Sequence, residues 1–514
     1  MVAKLKSAGI YGMEAFIVDV EVDVTTSFPG FELVGLPDAS VKESKERVRS
    51  AMKSCGLCFP SKRLTVNLAP ADIRKEGPIY DLPLLLAMAI GDGQLDISSE
   101  NIGGHVFVGE LSLTGEVRPV SGLLAMTIKA REEGVAGIFV PADNAAEASV
   151  VEDIAVYPVK NVEELINHLL GNRPITPAVM GDFPIAVTEQ ALDYADVCGQ
   201  SSARRAMEVA AAGGHNLLLI GPPGSGKSML AKRLPSILPD MTFEESIETT
   251  KLHSIAGMLP AGTPLLRTRP YRAPHHTISP AGLSGGGRYP RPGEISLAHN
   301  GVLFLDELPE YDRSALEVLR QPLEDGHVTI SRVAGTLTYP SSIMLVAAMN
   351  PCPCGFFGHP QKPCICGKGT VGKYLNRVSG PLLDRLDLHV EVPPVDFESL
   401  SDSQKGESSA DIKARVNHAR TVQLERFKAM GAPSLIVCNA RITTAMLGEV
   451  CRMSDAARGL LKSAFDRLGL SARAYDRILK VARTIADLDG SEQIESAHIA
   501  EAIQFRSLDR KYWS

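Results

Sequence analysis

One stretch of the chain decides the fold class: Leu217-Leu-Leu-Ile-Gly221-Pro222-Pro223-Gly224-Ser225-Gly226-Lys227-Ser228. An apolar strand, a glycine-rich loop and the start of a helix follow one another here, which is the order found in a phosphate-binding loop. Glycine lets backbone amides curve around a polyphosphate without side-chain collisions, and the helix N-terminus attracts negative charge. We therefore expect residues 221–228 to bind ATP, with Lys227 on the β- and γ-phosphates and Ser228 on Mg²⁺.

Two further apolar runs end in polar residues that suit the same chemistry. Val302-Leu-Phe-Leu is followed by Asp306 and Glu307. Asp306 can orient the water shell of Mg²⁺, and Glu307 can polarise an attacking water. Ile343-Met-Leu-Val-Ala-Ala-Met ends in Asn350, whose amide could position that water; a turn-forming Asn is the alternative. Since strand ends face the phosphates in such folds, we expect a parallel sheet and an ATP hydrolase.

Composition sets broad limits on the protein. The chain has 514 residues, 44% of them hydrophobic and 22% charged, with a net charge of −7. This length suggests roughly three domains, and the composition is that of a soluble protein, which we expect to be cytoplasmic with no membrane contact. An acidic chain does not coat itself with nucleic acid, so any DNA site must be a local basic feature.

The pattern along the chain predicts an α/β class with four segments. Residues 1–171 alternate strand-like and helical runs, and 172–192 are a linker rich in proline and glycine. Residues 193–400 carry the nucleotide motifs, and 401–514 comprise a polar connection followed by a helical lid. We expect the core strands at 217–220, 302–305 and 343–347, because continuous apolar runs are typical of a buried parallel sheet.

Four cysteines form a candidate zinc site within residues 352–366. They are Cys352, Cys354, Cys364 and Cys366. Paired thiolates in a glycine-rich loop suit tetrahedral Zn²⁺. The ion would fix the conformation of a loop that is too small to have its own core. The alternative is a set of unligated thiols, since the spacing of one residue within each pair is tighter than usual for zinc.

Taken together, the motifs resemble those of AAA+ ATPases. Residues 221–228, 302–307, Asn350 and Arg385 correspond in order to the Walker A, Walker B, sensor 1 and arginine-finger elements. Ser471-Ala-Arg473-Ala-Tyr-Asp-Arg477 begins a helix where such ATPases place sensor 2. The resemblance therefore implies Arg473, or failing that Arg477, as sensor 2; ordinary surface arginines are the alternative.

Longer stretches resemble the YifB/ComM family of magnesium-chelatase-like AAA+ proteins. The residues that carry this resemblance are Arg269-Pro-Tyr-Arg-Ala-Pro-His-His-Thr-Ile-Ser, the stretch from Gly285 to Glu307 and Asn350-Pro-Cys-Pro-Cys-Gly. The resemblance also covers Val34-Gly-Leu-Pro-Asp and Asn67-Leu-Ala-Pro-Ala-Asp. This resemblance implies a hexameric ring in which Arg385 reaches ATP held by the neighbouring subunit. For the ComM branch it implies ATP-driven branch migration of DNA in recombination or natural transformation. The alternative is a chelatase-type motor that remodels a protein partner.

A basic segment, residues 267–291, is the candidate DNA contact. It contains no Asp or Glu but has arginines, histidines and tyrosines at Arg267, Arg269, Tyr271, Arg272, His275, His276, Arg288, Tyr289 and Arg291. Arginines can grip phosphates while aromatic rings stack on bases; a solvated or subunit-contacting loop is the alternative. Residues 328–339 predict a hairpin turning near Gly335. The resemblance implies that both segments project into the pore of the ring.

The N-terminal domain resembles the catalytic domain of Lon proteases, which has a ribosomal S5 domain 2-like fold. Where those enzymes carry a nucleophilic Ser, this chain has Gly77-Pro78-Ile79, and where they carry the activating Lys it has Gly122-Leu123-Leu124. Covalent catalysis needs both groups. We therefore expect a role in assembly, partner binding or DNA contact and not in proteolysis.

Overall fold

The chain forms two compact units. The computed structural model describes residues 2–182, 192–287, 290–332, 335–359, 361–367, 369–394, 406–433, 436–468, 470–506 and 508–513. Unit 1 comprises Met1–Val187 with Phe243–Leu266, and unit 2 comprises Thr188–Thr242 with Arg267–Ser514. Part of the expected linker (183–191) and part of the expected polar connection (401–405) lie outside the described residues.

Unit 1 is built on a mixed sheet. Its strands are β1 (Val2–Tyr11), β2 (Glu14–Thr25), β3 (Gly30–Val34), β4 (Arg63–Ala69), β5 (His105–Phe107), β6 (Glu110–Leu111), β7 (Val117–Arg118), β8 (Gly137–Pro141) and β9 (Ala155–Val159). Seven of them form one sheet in the order β3-β4-β2-β1-β5-β8-β9, while β6 and β7 form a separate pair. The helix Asp81–Gly91 packs on β1 and β2 and is almost entirely buried, because nearly all of its side chains are apolar.

The helices of unit 1 surround this sheet, and one of them comes from a distant part of the chain. They span Ala39–Lys42, Ser44–Ser54, Asp81–Gly91, Ser99–Gly103, Leu123–Glu132, Ala145–Ala148, Val162–Leu169 and Phe243–Ile255. The last of these packs on helix Leu123–Glu132. Its Ser254 hydroxyl donates to the buried Glu147 carboxylate at 2.5 Å, and Ser254 accepts a hydrogen bond from the Gly122 N–H. Phe243–Leu266 therefore belongs to unit 1, although it lies within the sequence range 193–400 that carries the nucleotide motifs.

Unit 2 contains the expected parallel sheet. Its strands are β10 (Leu217–Ile220), β11 (Tyr271–Arg272), β12 (Gly285–Gly286), β13 (Arg291–Pro292), β14 (Val302–Leu305), β15 (His327–Arg332), β16 (Gly335–Pro340), β17 (Met344–Met349) and β18 (Leu388–Glu391). The five-stranded sheet has the order β11-β14-β17-β10-β18, and every neighbouring pair is parallel. Strands β10, β14 and β17 are buried along their whole length, as their unbroken apolar sequences require. The predicted α/β class is confirmed.

The helices of unit 2 lie around this sheet and make up most of the C-terminal part. They span Ser201–Gly213, Lys227–Arg233, Pro280–Ser284, Glu294–Leu297, Arg313–Glu317, Arg320–Asp325, Thr370–Leu375, Gly380–Leu383, Ser409–Ala429, Thr444–Val450, Asp455–Leu468, Ala472–Leu488, Ser496–Gln504 and Leu508–Trp513. Helix Ala472–Leu488 begins where the Ser471 side chain accepts a hydrogen bond from the Ala474 N–H. Among the described residues, no helix is both long enough and apolar enough to cross a bilayer.

Candidate nucleotide-binding site

The glycine-rich loop connects β10 to helix Lys227–Arg233, as its sequence predicts. Gly224 and Gly226 have φ angles of 77° and 90°, a region that favours glycine because a Cβ would collide with the backbone. A Cβ on Gly221 would lie 2.2 Å from the carbonyl oxygen of Val392, directly after β18. The loop therefore packs closely against the end of the neighbouring strand, which no larger residue at Gly221 would permit.

Lys227 lies at the centre of the site. Its Nζ donates to the carbonyl oxygens of Gly221 and Pro222 at 2.8 and 2.9 Å, and to Oδ1 of Asn350 at 3.1 Å. Burial lowers the pKa of Lys227 to about 8, although Asp306 and Glu307 act in the opposite direction. The end of β17 thus brings Asn350 into contact with the loop lysine.

Ser228 and Asp306 also come together. The Ser228 hydroxyl donates to Oδ2 of Asp306 at 2.6 Å, across the ends of β10 and β14. A hydroxyl and a carboxylate are hard oxygen donors of the kind that Mg²⁺ prefers when it also binds phosphates. The residues at this position therefore fit a magnesium ion, which would neutralise phosphate charge and orient the polyphosphate.

Glu307 adopts an unusual backbone conformation. Its φ and ψ are 52° and 45°, in the left-handed region, which costs a non-glycine residue about 1–3 kcal/mol and is often found at functional sites. Its Oε2 lies 3.5 Å from Nδ1 of His276, and its side chain is 56% exposed. The sequence indicated His276 only as a nucleic-acid contact, because nothing in the spacing of two distant segments shows that they meet.

The candidate arginine finger, Arg385, and the two sensor 2 candidates, Arg473 and Arg477, all form contacts with nearby carboxylates. The Arg385 guanidinium donates to the Pro381 carbonyl at 2.5 Å and pairs with Glu324. Arg473 is 69% exposed and lies 3.6 Å from Asp384. Its alternative, Arg477, is 17% exposed and lies 3.6 Å from Asp387. Arg473 is thus the more accessible of the two sensor 2 candidates.

The basic segment divides into arginines that hold the fold and arginines that face solvent. Arg269 donates to the carbonyl oxygens of Pro239 and Asn300 at 2.7 and 2.8 Å. Arg272 makes a two-pronged pair with Glu294, which lies just beyond the segment, at 2.6 and 2.7 Å. By contrast, Arg267 and Arg291 are exposed, and the predicted contacts Arg288 and Tyr289 lie outside the described residues.

Two hairpins of unit 2 pack side by side. The first is formed by β12 and β13 and the second by β15 and β16, near the position predicted from residues 328–339. The Tyr339 hydroxyl donates to the Pro290 carbonyl at 2.8 Å, and a Cβ on Gly286 would lie 3.4 Å from the Arg332 guanidinium. The hairpins therefore bring the exposed residues Arg291 and Arg332 to one region of the surface.

The four candidate metal-binding cysteines also come together. The sulfur atoms of Cys352, Cys354, Cys364 and Cys366 all lie within 4.8 Å of one another. Cys352 follows Asn350 and Pro351 at the end of β17, so the cysteine loop begins at the nucleotide site. The arrangement could bind a metal ion.

Comparisons with known proteins match most of the chain to family models. The family model described as "Magnesium chelatase, subunit ChlI" matches residues 193–400. Models of "Subunit ChlI of Mg-chelatase" and of the "Magnesium chelatase, subunit ChlI C-terminal" match residues 20–144 and 406–506. Together these matches extend over both units.

Several curated proteins are similar over most of the chain. Competence protein ComM of Haemophilus influenzae is 42% identical over 503 residues, which cover 97% of this chain and 96% of that protein. Uncharacterized protein YifB of Escherichia coli is 41% identical over 502 residues, with the same coverage of 97% and 96%. The magnesium-chelatase 67 kDa subunit of Chlorobaculum parvum is 28% identical over 164 residues, 31% of this chain and 23% of the subunit. Because the similarity extends along the whole chain and includes the nucleotide site, the protein belongs to the YifB/ComM family of magnesium-chelatase-like AAA+ ATPases.

Proposed function

We propose that this protein is an ATP-driven motor that moves branched or single-stranded DNA during recombination or natural transformation. It works in the cytoplasm as a hexameric ring, and its reaction is hydrolysis of MgATP coupled to branch migration. The observation that carries the choice of DNA is the pair of adjacent hairpins with exposed Arg291 and Arg332. The similarity to a protein named for competence, the uptake of DNA, supports the same choice.

The nucleotide site supplies the parts that hydrolysis needs. Lys227 would bind phosphate, and Ser228 with Asp306, which it contacts, would hold Mg²⁺. Glu307 would activate water from its left-handed position while Asn350 senses the γ-phosphate. An arginine finger is typically worth about 10³ to 10⁵ in rate, and Arg385 would supply it to the site of the neighbouring subunit.

Unit 1 serves assembly or partner binding in this proposal. Its resemblance to a Lon-type domain does not extend to the catalytic pair, since Ile79 and Leu124 stand at the positions of the nucleophile and the activating lysine. Both of these side chains are buried in the apolar core. Neither position could therefore present a reactive group to a peptide without disturbing the packing.

The alternative is a chelatase-type motor that remodels a protein partner. It is favoured by the three chelatase family models that match the chain. Against it, the similarity to the magnesium-chelatase 67 kDa subunit covers 31% of this chain, whereas that to the competence protein covers 97%. Both motors would hydrolyse ATP, so the polymer that stimulates hydrolysis separates them.

The test is ATP hydrolysis and branch migration measured with single-stranded, duplex and four-way-junction DNA. We expect one of the DNA forms to stimulate hydrolysis and the junction to be moved only when ATP is present. An Arg291→Ala/Arg332→Ala double variant should lose stimulation, and the slope of log affinity against log salt should fall by about 1.4 to 1.8, as two lost phosphate contacts predict. Arg118→Ala, which removes an exposed arginine of unit 1, is the matched control. Absence of stimulation by every DNA would favour the protein-remodelling alternative.

A further inference from the structure

The cysteine loop, residues 352–366, brings four sulfur atoms within reach of a single metal ion. The Sγ atom of Cys352 lies 3.3 Å from that of Cys354 and 3.7 Å from that of Cys364, and the Cys354 and Cys364 sulfurs are 3.6 Å apart. A disulfide would need about 2.05 Å. Four sulfurs at about 2.3 Å from a tetrahedral zinc stand about 3.8 Å from one another. The three separations among Cys352, Cys354 and Cys364 are therefore close to this value and too long for a disulfide, and the Cys366 sulfur lies within 4.8 Å of the other three.

The donor set consists of sulfur alone. His359 is the only histidine between the two cysteine pairs, and its Nδ1 accepts hydrogen bonds from the N–H groups of Gln361 and Lys362, both at 3.0 Å. It thus stabilises a turn of the loop. The Phe357 N–H points to Cys352 Sγ at 3.3 Å, the kind of outer contact that orients a thiolate ligand. Four soft ligands without a carboxylate favour zinc over magnesium, calcium or manganese.

The loop also packs on the nucleotide site. A Cβ on Gly355 would lie 2.3 Å from Cδ of Pro223, which belongs to the phosphate-binding loop. Gly355 has a φ of 83°, so both its backbone conformation and its closeness to Pro223 require glycine. A change in the shape of the cysteine loop would therefore shift Pro223 and the neighbouring residues of the phosphate-binding loop.

The C-terminal helix Leu508–Trp513 contacts the cysteine loop as well. The ring of Tyr512 lies 6.3 Å from that of Phe357, and Lys511 pairs with Glu391 at 2.6 Å. Glu391 is the last residue of β18 and is the parallel partner of Ile220, where β10 ends. The loop is therefore in contact with two elements that adjoin the nucleotide site, although it is too short to have a core of its own.

We infer that Cys352, Cys354, Cys364 and Cys366 bind one structural zinc ion, and that this ion holds the cysteine loop in the shape that supports Pro223. The metal does no chemistry on ATP. It replaces the missing core of the loop, because a short glycine-rich segment cannot bury enough apolar surface to fix its own conformation. Zinc binding stands independently of the proposed DNA function, and its link to ATP binding needs only that the loop at 221–228 binds nucleotide.

The first measurement is the metal content of the purified full-length protein by mass spectrometry. We expect about one zinc per chain in the wild type and below about 0.2 in Cys364→Ser or Cys366→Ser. Cys58→Ser, which changes an exposed cysteine of unit 1, should keep its zinc. Iron with a visible charge-transfer band, or no metal in the wild-type protein, would overturn the inference.

The second measurement tests the link to the nucleotide site with a variant that keeps all four ligands. Gly355→Ala should retain zinc yet bind a fluorescent ATP analogue at least about tenfold more weakly, because its methyl group must displace Pro223. Gly367→Ala is the matched control, since its Cβ would meet nothing closer than 3.7 Å. Equal ATP affinity in Gly355→Ala and the wild type would refute the link even if zinc is found. Zinc analysis of the wild type decides the metal site even if the cysteine variants do not fold.

Discussion

Subunit mixing is the most direct test of how the arginine at 385 acts. Arg385→Ala should bind ATP but hydrolyse it about 10³ to 10⁵ times more slowly, since no site in a ring of this variant receives an arginine finger from its neighbour. Lys227→Ala should be defective in ATP binding, the step before hydrolysis, because the side chain that contacts Gly221, Pro222 and Asn350 is lost. In Arg385→Ala the lysine is intact, and in Lys227→Ala the arginine is intact. Each variant therefore supplies the part that the other lacks.

The size of the recovery follows from the arrangement of the ring. If subunits mix at random, a site works only when an Arg385→Ala subunit holds the ATP and a Lys227→Ala subunit stands next to it. At equal amounts this occurs at about a quarter of the interfaces of a head-to-tail ring. The recovered rate should be about a quarter of the wild-type rate and should fall symmetrically on either side of the equal mixture.

The assay is steady-state phosphate release at constant total protein, with the mixing ratio varied after subunits have been allowed to exchange. A Lys227→Ala/Arg385→Ala double variant mixed with either single variant is the control. With Lys227→Ala it can form no complete site, because neither chain retains the lysine. Recovery that is absent at every ratio, with exchange demonstrated by labelled subunits, would refute the assignment of Arg385 to a neighbouring site.

Four other predictions concern single groups. Glu307→Gln should bind ATP with unchanged affinity and hydrolyse it about 10² to 10⁴ times more slowly; brisk phosphate release would contradict its role. His276→Ala should lower turnover by up to about a hundredfold without weakening ATP binding, because it frees the carboxylate that lies 3.5 Å away; His276→Asn, which keeps a polar group there, should restore part of the rate. Because the pKa of Lys227 is lowered to about 8 and phosphate favours the charged ammonium, ATP affinity should fall about tenfold per pH unit above that value, and Lys227→Arg should remove this dependence. Asp487→Ala should cost about 3–5 kcal/mol of stability, measured by thermal or denaturant unfolding, because Arg483 is left buried without its carboxylate partner; Lys129→Ala, at a surface side chain that is 31% exposed, is its control.

The strands around the candidate nucleotide site were predictable because each of the motifs is contiguous in the sequence. Strands β10 and β14 match the expected strands at 217–220 and 302–305 residue for residue, and β17 extends two residues beyond the expected end at 347. Each polar residue at a strand end is placed by the parallel sheet itself. The meeting of Asn350 with Lys227, and of Asp306 with Ser228, then follows from the topology.

The bounds of helix Ser409–Ala429 do not follow from the expected polar connection and helical lid at 401–514, because the apolar pattern of this helix is weak. One of its buried positions is Gln423, and much of the rest of the helix is charged. A local signal was present nevertheless: the Ser408 side chain accepts a hydrogen bond from the Asp411 N–H. A serine followed three residues later by an acidic residue is a known start of a helix.

Contacts between distant segments were also missed. The pairs Arg272–Glu294, Arg385–Glu324 and His276–Glu307 join residues whose separation in sequence carries no periodic signal. They depend on which loops the sheet brings together, and spacing alone does not show this. For that reason the sequence indicated every arginine of the basic segment as a candidate DNA contact, whereas two of them, Arg269 and Arg272, stabilise the fold.

The assignment of Phe243–Leu266 to unit 1 has a consequence for dissecting the protein. The chain passes between the two units three times, at 187–188, 242–243 and 266–267. A truncation that removes the first 187 residues would keep helix Phe243–Ile255 but discard helix Leu123–Glu132, on which it packs. A minimal ATPase would therefore need a second excision, with Thr242 rejoined to Arg267 by a short linker. Modular exchange of the N-terminal part, in the laboratory or in evolution, is thereby restricted to variants that replace both pieces together.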